Sequence, residues 1–164
     1  MSLAVDLQQD QKPERWNDHV AVYEEVFEPL TNAFAACALD HLQLHAGDRL
    51  LDVGAGAGGA ALIAAARGLE VLAVDASPRM LARIVARANR VAGGAGRVRA
   101  EVMDGMALAL PDSSFEAAIS VFGVILFPDA DLGMREIVRV LRPGGCAAIV
   151  TWLKRNATSL QRGC

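Results

Sequence analysis

The chain has 164 residues, which is enough for one domain with a real hydrophobic core and too few for two. Hydrophobic residues make up 53% of the sequence and charged residues 21%, a composition that argues against disorder. A net charge of −3 and only 5% aromatic residues remove the usual electrostatic and stacking reasons to expect a nucleic-acid partner. Three widely spaced cysteines fit a reducing compartment, so a cytoplasmic protein is expected.

The N-terminal part of the sequence predicts an arm followed by helices. Residues 1–15 are polar and are expected to form a flexible arm, with no signal peptide and no membrane span in the chain. From Trp16 to about Leu44 apolar residues recur at helical spacing, and Pro29 is expected to divide two helices. Residues 16–45 are therefore predicted to form a helical extension at the start of a domain that covers residues 16–153.

Short apolar runs then alternate with helical segments. The predicted strands cover residues 49–53, 70–74, 97–103, 115–121 and 146–152. The predicted helices cover residues 60–67, 77–92 and 131–140, and residues 142–145 are expected to form a turn before the last strand. Because strands that alternate with helices form right-handed βαβ units, the sequence predicts an α/β fold with a parallel sheet covered on both faces.

The most informative stretch is LLDVGAGAGG, residues 50–59, in which a predicted strand runs into a glycine loop that opens a helix. Glycine is needed where the backbone turns sharply and a ligand must approach without a Cβ in the way. Asp75 closes the next strand, twenty-one residues beyond Gly54. A carboxylate at this place can accept from both hydroxyls of a ribose, although alone it could equally cap the helix that follows.

The same glycines leave two cofactor classes open. Gly54, Gly56 and Gly59 satisfy the dinucleotide pattern GxGxxG, so an NAD(P)-binding protein remains an alternative. Against it, Asp52 stands two residues before the first glycine, where a carboxylate would repel a pyrophosphate. Asp104 offers a further acid after the third strand. A cationic ligand that carries a ribose suits these acids better than a dianionic one.

Four motifs in order resemble class I S-adenosylmethionine-dependent methyltransferases, of the small-molecule group similar to the enzymes of ubiquinone and menaquinone biosynthesis. They are LLDVGAGAGG (50–59), VLAVDASPRML (71–81), VMDGMALALPDSSFEAAIS (102–120) and VLRPGG (140–145). The resemblance implies a Rossmann-like sheet of strand order 3-2-1-4-5. It also implies S-adenosylmethionine as the cofactor and methyl transfer to a small-molecule acceptor by in-line displacement at the sulfonium methyl.

The resemblance further implies roles for individual positions. Those that would border the methionine part of the cofactor are Asp52, Gly54, Ala55, Gly56, Gly58, Val121 and Phe122. Those near the ribose and adenine would be Asp75, Ala76, Met80, Asp104, Gly105 and Met106, with Asp75 on the ribose hydroxyls and Asp104 on the adenine amino group. In such relatives an N-terminal aromatic helix often covers the cofactor, which makes Tyr23 and Trp16 candidate lid residues, with ordinary helix packing as the other reading.

Other polar patterns give weaker signals. No Ser–His–Asp or Cys–His arrangement is visible, so no catalytic base is assigned. His41 and His45 lack a third partner, and no metal site is expected. Four arginines at helical spacing favour a solvated helix face, with an RNA-contacting stripe as the alternative; they are Arg79, Arg83, Arg87 and Arg90.

The sequence departs from the family at its end. Class I methyltransferases continue past the fifth strand with a helix and a hairpin, whereas here only a polar tail, residues 154–164, is present. The sixth and seventh strands are therefore expected to be missing, with the apolar fifth strand at a sheet edge covered by a homodimer or a swapped oligomer. Two functions remain: a methyltransferase, or a truncated module that binds the cofactor without catalysis.

Overall fold

The computed structural model describes residues 12–18, 20–90 and 96–152. Most of the predicted arm and all of the predicted tail lie outside the described residues. None of the helices within the described ranges is long and apolar enough to cross a membrane.

Five parallel strands form one sheet in the order β3-β2-β1-β4-β5. The strands are β1 (Arg49–Val53), β2 (Glu70–Asp75), β3 (Arg97–Val102), β4 (Phe115–Val121) and β5 (Leu141–Val150). In the centre, Leu51 of β1 pairs with Leu72 of β2 and with Ala118 of β4. The predicted Rossmann-like fold and strand order are confirmed. Because the order reverses between β1 and β4, the carboxyl end of β1 lies at the crevice where such sheets bind ligands.

Helices cover both faces of this sheet. They are α1 (Pro13–Asp18), α2 (Val20–Val22), a π-helical turn (Tyr23–Phe27), α3 (Glu28–Leu42), α4 (Gly59–Ala66), α5 (Pro78–Ala88) and α6 (Ala130–Val140). Pro29 lies in the first turn of α3, where a missing amide donor costs nothing. Residues 13–18 and 20–42 together are called the cap below.

The core consists of two apolar clusters, one on each face of the sheet. On one face Leu39 of α3, Ala61 of α4 and Ile84 of α5 pack against strand residues such as Leu50. On the other face Ile137 of α6 and the loop before β4 pack against alternate strand residues. Since the strands are buried on both faces, they read in the sequence as continuous apolar runs.

The last strand differs from the prediction. Residues 142–145, expected as a turn, belong to β5, which begins at Leu141 and ends at Val150 rather than at Trp152. Leu141 pairs with Phe115 and Cys146 pairs with Ala117, so three extra residues bulge out of β5 between these pairs. The Arg-Pro-Gly-Gly sequence therefore marks an irregularity inside a strand, because the flanking residues remain paired with β4.

Candidate functional site

The glycine loop after β1 turns in a way that requires glycine. Gly54 has φ +71°, and a Cβ there would lie 2.8 Å from the Cα of Gly123. Gly56 has φ +54°. The amides of Gly54 and Ala55 both donate to the carbonyl of Val74, at 2.9 Å and 3.1 Å. The loop is thus fixed to the end of β2, and its backbone lies close to Asp75.

Asp75 is tied to the glycine loop through its carboxylate. Oδ2 accepts from the amide of Gly56 at 2.9 Å, and Oδ1 accepts from the amide of Ser77 at 2.8 Å. Burial raises the pKa of Asp75 above its ordinary value, although the amides of Ser77 and Gly56 offset part of this effect. The carboxylate retains lone pairs for a ligand, because each oxygen can accept more than one hydrogen bond.

The surroundings of Asp52 disfavour the ionised form of its carboxylate. Its side chain is 1% exposed, and Oδ2 has no hydrogen-bond partner. Burial, followed by the charge of Asp75, raises the pKa of Asp52 to about 7. The amide of Ala61 donates to this carboxylate, but Oδ2 stays buried and unsatisfied, which makes Asp52 a candidate binding residue at the crevice.

Of the other residues predicted near the ribose and adenine of the cofactor, some lie on the surface and some in the interior. Asp104 follows β3 and is exposed, and its Oδ1 accepts from the amide of Met106 at 2.8 Å. Gly105 beside it is buried. Ala76 is exposed, whereas the side chain of Met80 is 1% exposed and lies within the core. Asp75 and Asp104 thus close neighbouring strands at the same edge of the sheet.

The end of β4 carries an aromatic cluster. Val121 lines the crevice beside Asp52, but Phe122 packs against Phe34 of the cap, with ring centroids 5.5 Å apart, and against Trp152, with centroids 4.2 Å apart. Phe122 has φ +58°, an unfavourable backbone conformation for a residue with a Cβ. Such conformations concentrate at functional sites.

The cap lies over the glycine loop and brings Tyr23, a predicted lid residue, close to Gly56. A Cβ on Gly56 would lie 3.3 Å from the Tyr23 hydroxyl, and Trp16 packs edge-on against the Tyr23 ring. A cavity of about 10 Å³ remains between the cap and the end of β1. This is about the volume of one water molecule, so the crevice in this conformation has no room for a larger ligand.

The predicted solvated arginine face is only partly correct: Arg79 and Arg90 are exposed, but Arg83 and Arg87 are half-buried, and three of the four arginines bond to the cap. Arg83 Nε donates to Glu24 Oε1 at 2.5 Å. Arg87 forms a two-bond pair with Glu28, at 2.8 Å and 2.5 Å, and Arg79 donates to the backbone of Asn17. The cap therefore packs on this face of α5 through hydrogen bonds and ion pairs.

Sequence reasoning missed the acidic partners of these arginines. Glu24 and Glu28 are four residues apart, as are Arg83 and Arg87, so two matched helical pairs were present as a signal. The tertiary pairing brings Glu28 to 4% exposure, a degree of burial that no local pattern predicts.

Residues that could hold a metal do not gather here. Over the ranges 12–18, 20–90 and 96–152 there is no group of three or more His, Cys, Asp or Glu side chains able to hold a metal ion.

The sheet order, and the glycine loop and acids at the carboxyl ends of β1, β2 and β3, define a Rossmann-like domain, a class that binds ligands at this edge of the sheet. The family model "Methyltransferase domain" matches residues 50–145, more than half of the chain. The chain therefore belongs to this family, which confirms the resemblance to class I S-adenosylmethionine-dependent methyltransferases.

Similar proteins share the same region. The 27-O-demethylrifamycin SV methyltransferase of Amycolatopsis mediterranei is 37% identical over 139 residues, covering 84% of this chain and 49% of that protein. An uncharacterised protein of Mycobacterium tuberculosis is 36% identical over 137 residues, covering 82% of this chain and 47% of that protein. The solved phosphoethanolamine N-methyltransferase 2 of Haemonchus contortus, in complex with S-adenosyl-L-methionine, has a TM-score of 0.65 and 31% identity, covering 71% and 27%. The chain spans about half the length of the curated relatives it matches.

Proposed function

We propose that this domain binds S-adenosylmethionine and transfers its methyl group to a small-molecule acceptor. The observation that carries the proposal is the convergence of Asp52 and Asp75 on one glycine loop, with an unpartnered carboxylate oxygen buried at the crevice of the sheet. A cationic cofactor with a ribose matches these acids, whereas a pyrophosphate would be repelled by Asp52. The family match supports the same choice.

Each acid has a distinct task in this proposal. Asp75 accepts from the ribose hydroxyls, since its carboxylate already marks the end of β2 beside the loop. Asp104, exposed after β3, accepts from the adenine amino group, and Gly105 and Met106 flank the ring. Asp52 faces the cationic amino-acid part of the cofactor. Bound S-adenosylmethionine supplies an electrophilic methyl group that a nucleophilic acceptor displaces in line.

The residues of this chain contribute mainly by alignment and exclusion of water. Tyr23 and the cap cover the glycine loop, so a cofactor held beneath them is shielded from solvent. No general base is assigned, because a base is needed only where the acceptor must lose a proton.

The acceptor is proposed to be apolar and at least partly aromatic. At the carboxyl ends of β4 and β5, Phe122 stacks on Trp152 and meets Phe34 edge-on, and Trp152 is 61% exposed. Aromatic rings that stay exposed beside a crevice offer stacking surface to a planar ligand. The relative that acts on 27-O-demethylrifamycin SV supports an elaborate organic acceptor.

A homodimer or swapped oligomer in the cytoplasm is also proposed. β5 lies at one edge of the five-stranded sheet, and an apolar strand edge favours pairing with another chain. Light scattering during gel filtration measures this directly. A mass of one chain at micromolar concentration contradicts the dimer and leaves the cofactor proposal untouched.

Calorimetric titration with S-adenosylhomocysteine tests the cofactor proposal. Saturable heat is expected with this ligand and none with NADH, which carries a pyrophosphate. Absence of heat at millimolar S-adenosylhomocysteine overturns the proposal. Methyl transfer to a panel of hydroquinols, phenols and amines then separates an enzyme from a module that only binds the cofactor.

A further inference from the structure

Helix α3 is apolar on two opposite faces. Toward the sheet, Ala35 and Leu39 are buried in the core. On the outside, exposed apolar side chains recur every four residues from the end of α2 into α3. They are Val22, Val26, Leu30 and Phe34, which are 41–60% exposed, with Phe27 exposed beside them, and these five are called the outer stripe below. Because a helix that is apolar all round is normally buried, the outer stripe indicates a surface that another molecule covers.

The outer stripe borders the open edge of the sheet. α3 packs against α4 on one side and lies over β4 and β5. Phe34 contacts Phe122 at the end of β4, and Phe122 stacks on Trp152, which follows β5. β5 is the last strand of the sheet, and its residues 146–150 are apolar and half-buried. The outer stripe and the edge of β5 are therefore neighbouring parts of one apolar surface.

The charge of the cap argues against two kinds of partner. Residues 16–48 contain six Asp and Glu and no Lys or Arg. Anionic lipid headgroups and nucleic-acid phosphates are bound by surfaces rich in Lys and Arg. The chain's own residues 153–164 also match the outer stripe poorly, because seven of the twelve carry polar side chains. The outer stripe therefore suits the apolar surface of another protein chain.

A second copy of this chain supplies such a surface by symmetry. A two-fold axis perpendicular to the sheet beside β5 places the two β5 strands antiparallel and leaves both copies of α3 on the same face. The same patch then meets itself, as a two-fold interface requires. We propose that the outer stripe binds the outer stripe of a second copy, with the two α3 helices antiparallel. This inference deepens the proposed homodimer, on which it rests.

The size of the surface agrees with this interface. Five half-exposed side chains of roughly 100 Å² each present on the order of 500 Å², close to the largest apolar patches that monomers expose. Together with the edge of β5, the outer stripe approaches the ~800 Å² that each partner buries in a specific interface. Phe34 belongs to both the outer stripe and the aromatic cluster, so the second copy borders the proposed acceptor surface.

Light scattering during gel filtration tests the inference with two matched variants. Val26→Glu places a charge in the outer stripe, whereas Val138→Glu makes the same change at a similarly exposed valine of α6, on the other face of the sheet. We expect the wild type and Val138→Glu to have the mass of two chains at micromolar concentration. Val26→Glu should have the mass of one chain, because a buried unpaired charge raises the dissociation constant by about a hundredfold. Circular dichroism checks that both variants fold.

A disulfide provides a second test that adds no charge to the outer stripe. Leu30 lies between Val26 and Phe34, and a central residue is near its own copy when two helices pack antiparallel about a two-fold axis. After mild oxidation, Leu30→Cys should form a disulfide-linked dimer and Val138→Cys should not. Both variants are made in a chain with serine at Cys37, Cys146 and Cys164. This result decides the matter if Val26→Glu does not fold.

Three results would contradict the inference. A folded Val26→Glu with the mass of two chains overturns it and leaves the edge of β5 as the interface. Absence of the Leu30→Cys disulfide overturns the antiparallel packing of α3. A wild-type mass of one chain also overturns it and leaves the outer stripe to residues 153–164 or to a different protein. Calorimetry with S-adenosylhomocysteine reports separately on the proposed cofactor, so failure of the two proposals is distinguishable.

Discussion

Acidic side chains have opposite surroundings in two regions of the molecule. One region is the crevice at the end of β1, and the other is the loop between β3 and β4, which packs against α6. At the crevice, Asp52 is buried with no basic partner, and its pKa is raised. At the loop, Glu136 accepts from Arg139 Nε and Nη2, both at 2.8 Å, and from the amide of Leu108 at 2.7 Å. The hydrogen bond from Arg139 lowers the pKa of Glu136, in spite of its partial burial.

This difference distinguishes acids that stabilise the fold from acids that remain available to a ligand. Arg139 also donates to the carbonyls of Leu108 and Leu110 at 2.8 Å, so the loop that follows Asp104 is anchored by satisfied groups. The crevice instead retains acceptors whose cost the rest of the fold offsets. Proteins retain such unsatisfied groups mainly where a ligand completes them.

The largest effect is expected for Asp52→Asn in the ligand-free protein. The unfolded carboxyl has its ordinary pKa of 3.8 and the folded one about 7, so the folded chain binds the extra proton. The cost of burying the charge therefore grows as pH rises from about 4 to 7 and persists above that. We expect the variant to be more stable by roughly 2–4 kcal/mol near pH 8 and by much less near pH 5.

Urea denaturation at both pH values measures this difference. Asp104→Asn, which changes the exposed acid of the same sheet edge, serves as the control and should alter stability little. A stability gain for Asp52→Asn that is equal at the two pH values would show that the buried charge is not its source. The same variant should also bind S-adenosylhomocysteine more weakly.

A second prediction concerns Asp75 and affinity rather than stability. Asp75→Ala should weaken S-adenosylhomocysteine by about 1–3 kcal/mol, because the hydrogen bonds to the ribose hydroxyls are lost. Calorimetry measures the affinity, and Asp40→Ala, at an exposed pair with Arg67, is the matched control. If Asp75→Ala binds the ligand as tightly as the wild type, the ribose role of this residue is wrong.

The smallest effect is expected for Arg139→Met. Its loss leaves Glu136 with the amide of Leu108 as its remaining donor and removes the bonds to two carbonyls, which should cost about 1–2 kcal/mol near neutral pH. Because the folded pKa of Glu136 is lowered from 4.5, the contribution of the pair exists above that pH and disappears as pH falls further. Arg142→Met, which removes a more exposed partner of Glu116, should cost less in the same denaturation measurement.

If Arg139→Met and Arg142→Met cost the same, the loop is not anchored as described. Part of the gap between wild type and Arg139→Met should remain at low pH, because the hydrogen bonds to the carbonyls of Leu108 and Leu110 do not titrate; a gap that does not shrink at all on acidification contradicts the contribution of Glu136.

Much of the fold could be predicted because its signals are local. The bounds of β1 and β4 agree with the predicted 49–53 and 115–121, since each is an apolar run that ends at a glycine or a polar loop. Cys146 and Ala147 pair with β4 as expected for a strand. The bulge at 142–145 could not be predicted, because a Pro-Gly-Gly sequence indicates a turn unless pairing with β4 continues on both sides.

The candidate site was predictable where chain order fixes position. Asp52, Asp75 and Asp104 lie at or just after the carboxyl ends of β1, β2 and β3, which parallel pairing brings to one edge of the sheet. Asn32, Glu28 and Arg87 were missed because their meeting depends on how the cap docks on α5. Helical spacing identified the faces of both helices but not that they face each other.

The class of fold, the glycine loop and the acids around it follow from the amino-acid sequence alone, because strand periodicity and backbone sterics are properties of short segments. Which polar groups are left without partners depends instead on how distant segments pack together. Burial, charge and hydrogen bonding at Asp52 and Asn32 are set by residues up to tens of positions away in the chain. Unsatisfied buried oxygens distinguish a binding site from a tight turn. They arise here from the packing of the cap on the sheet.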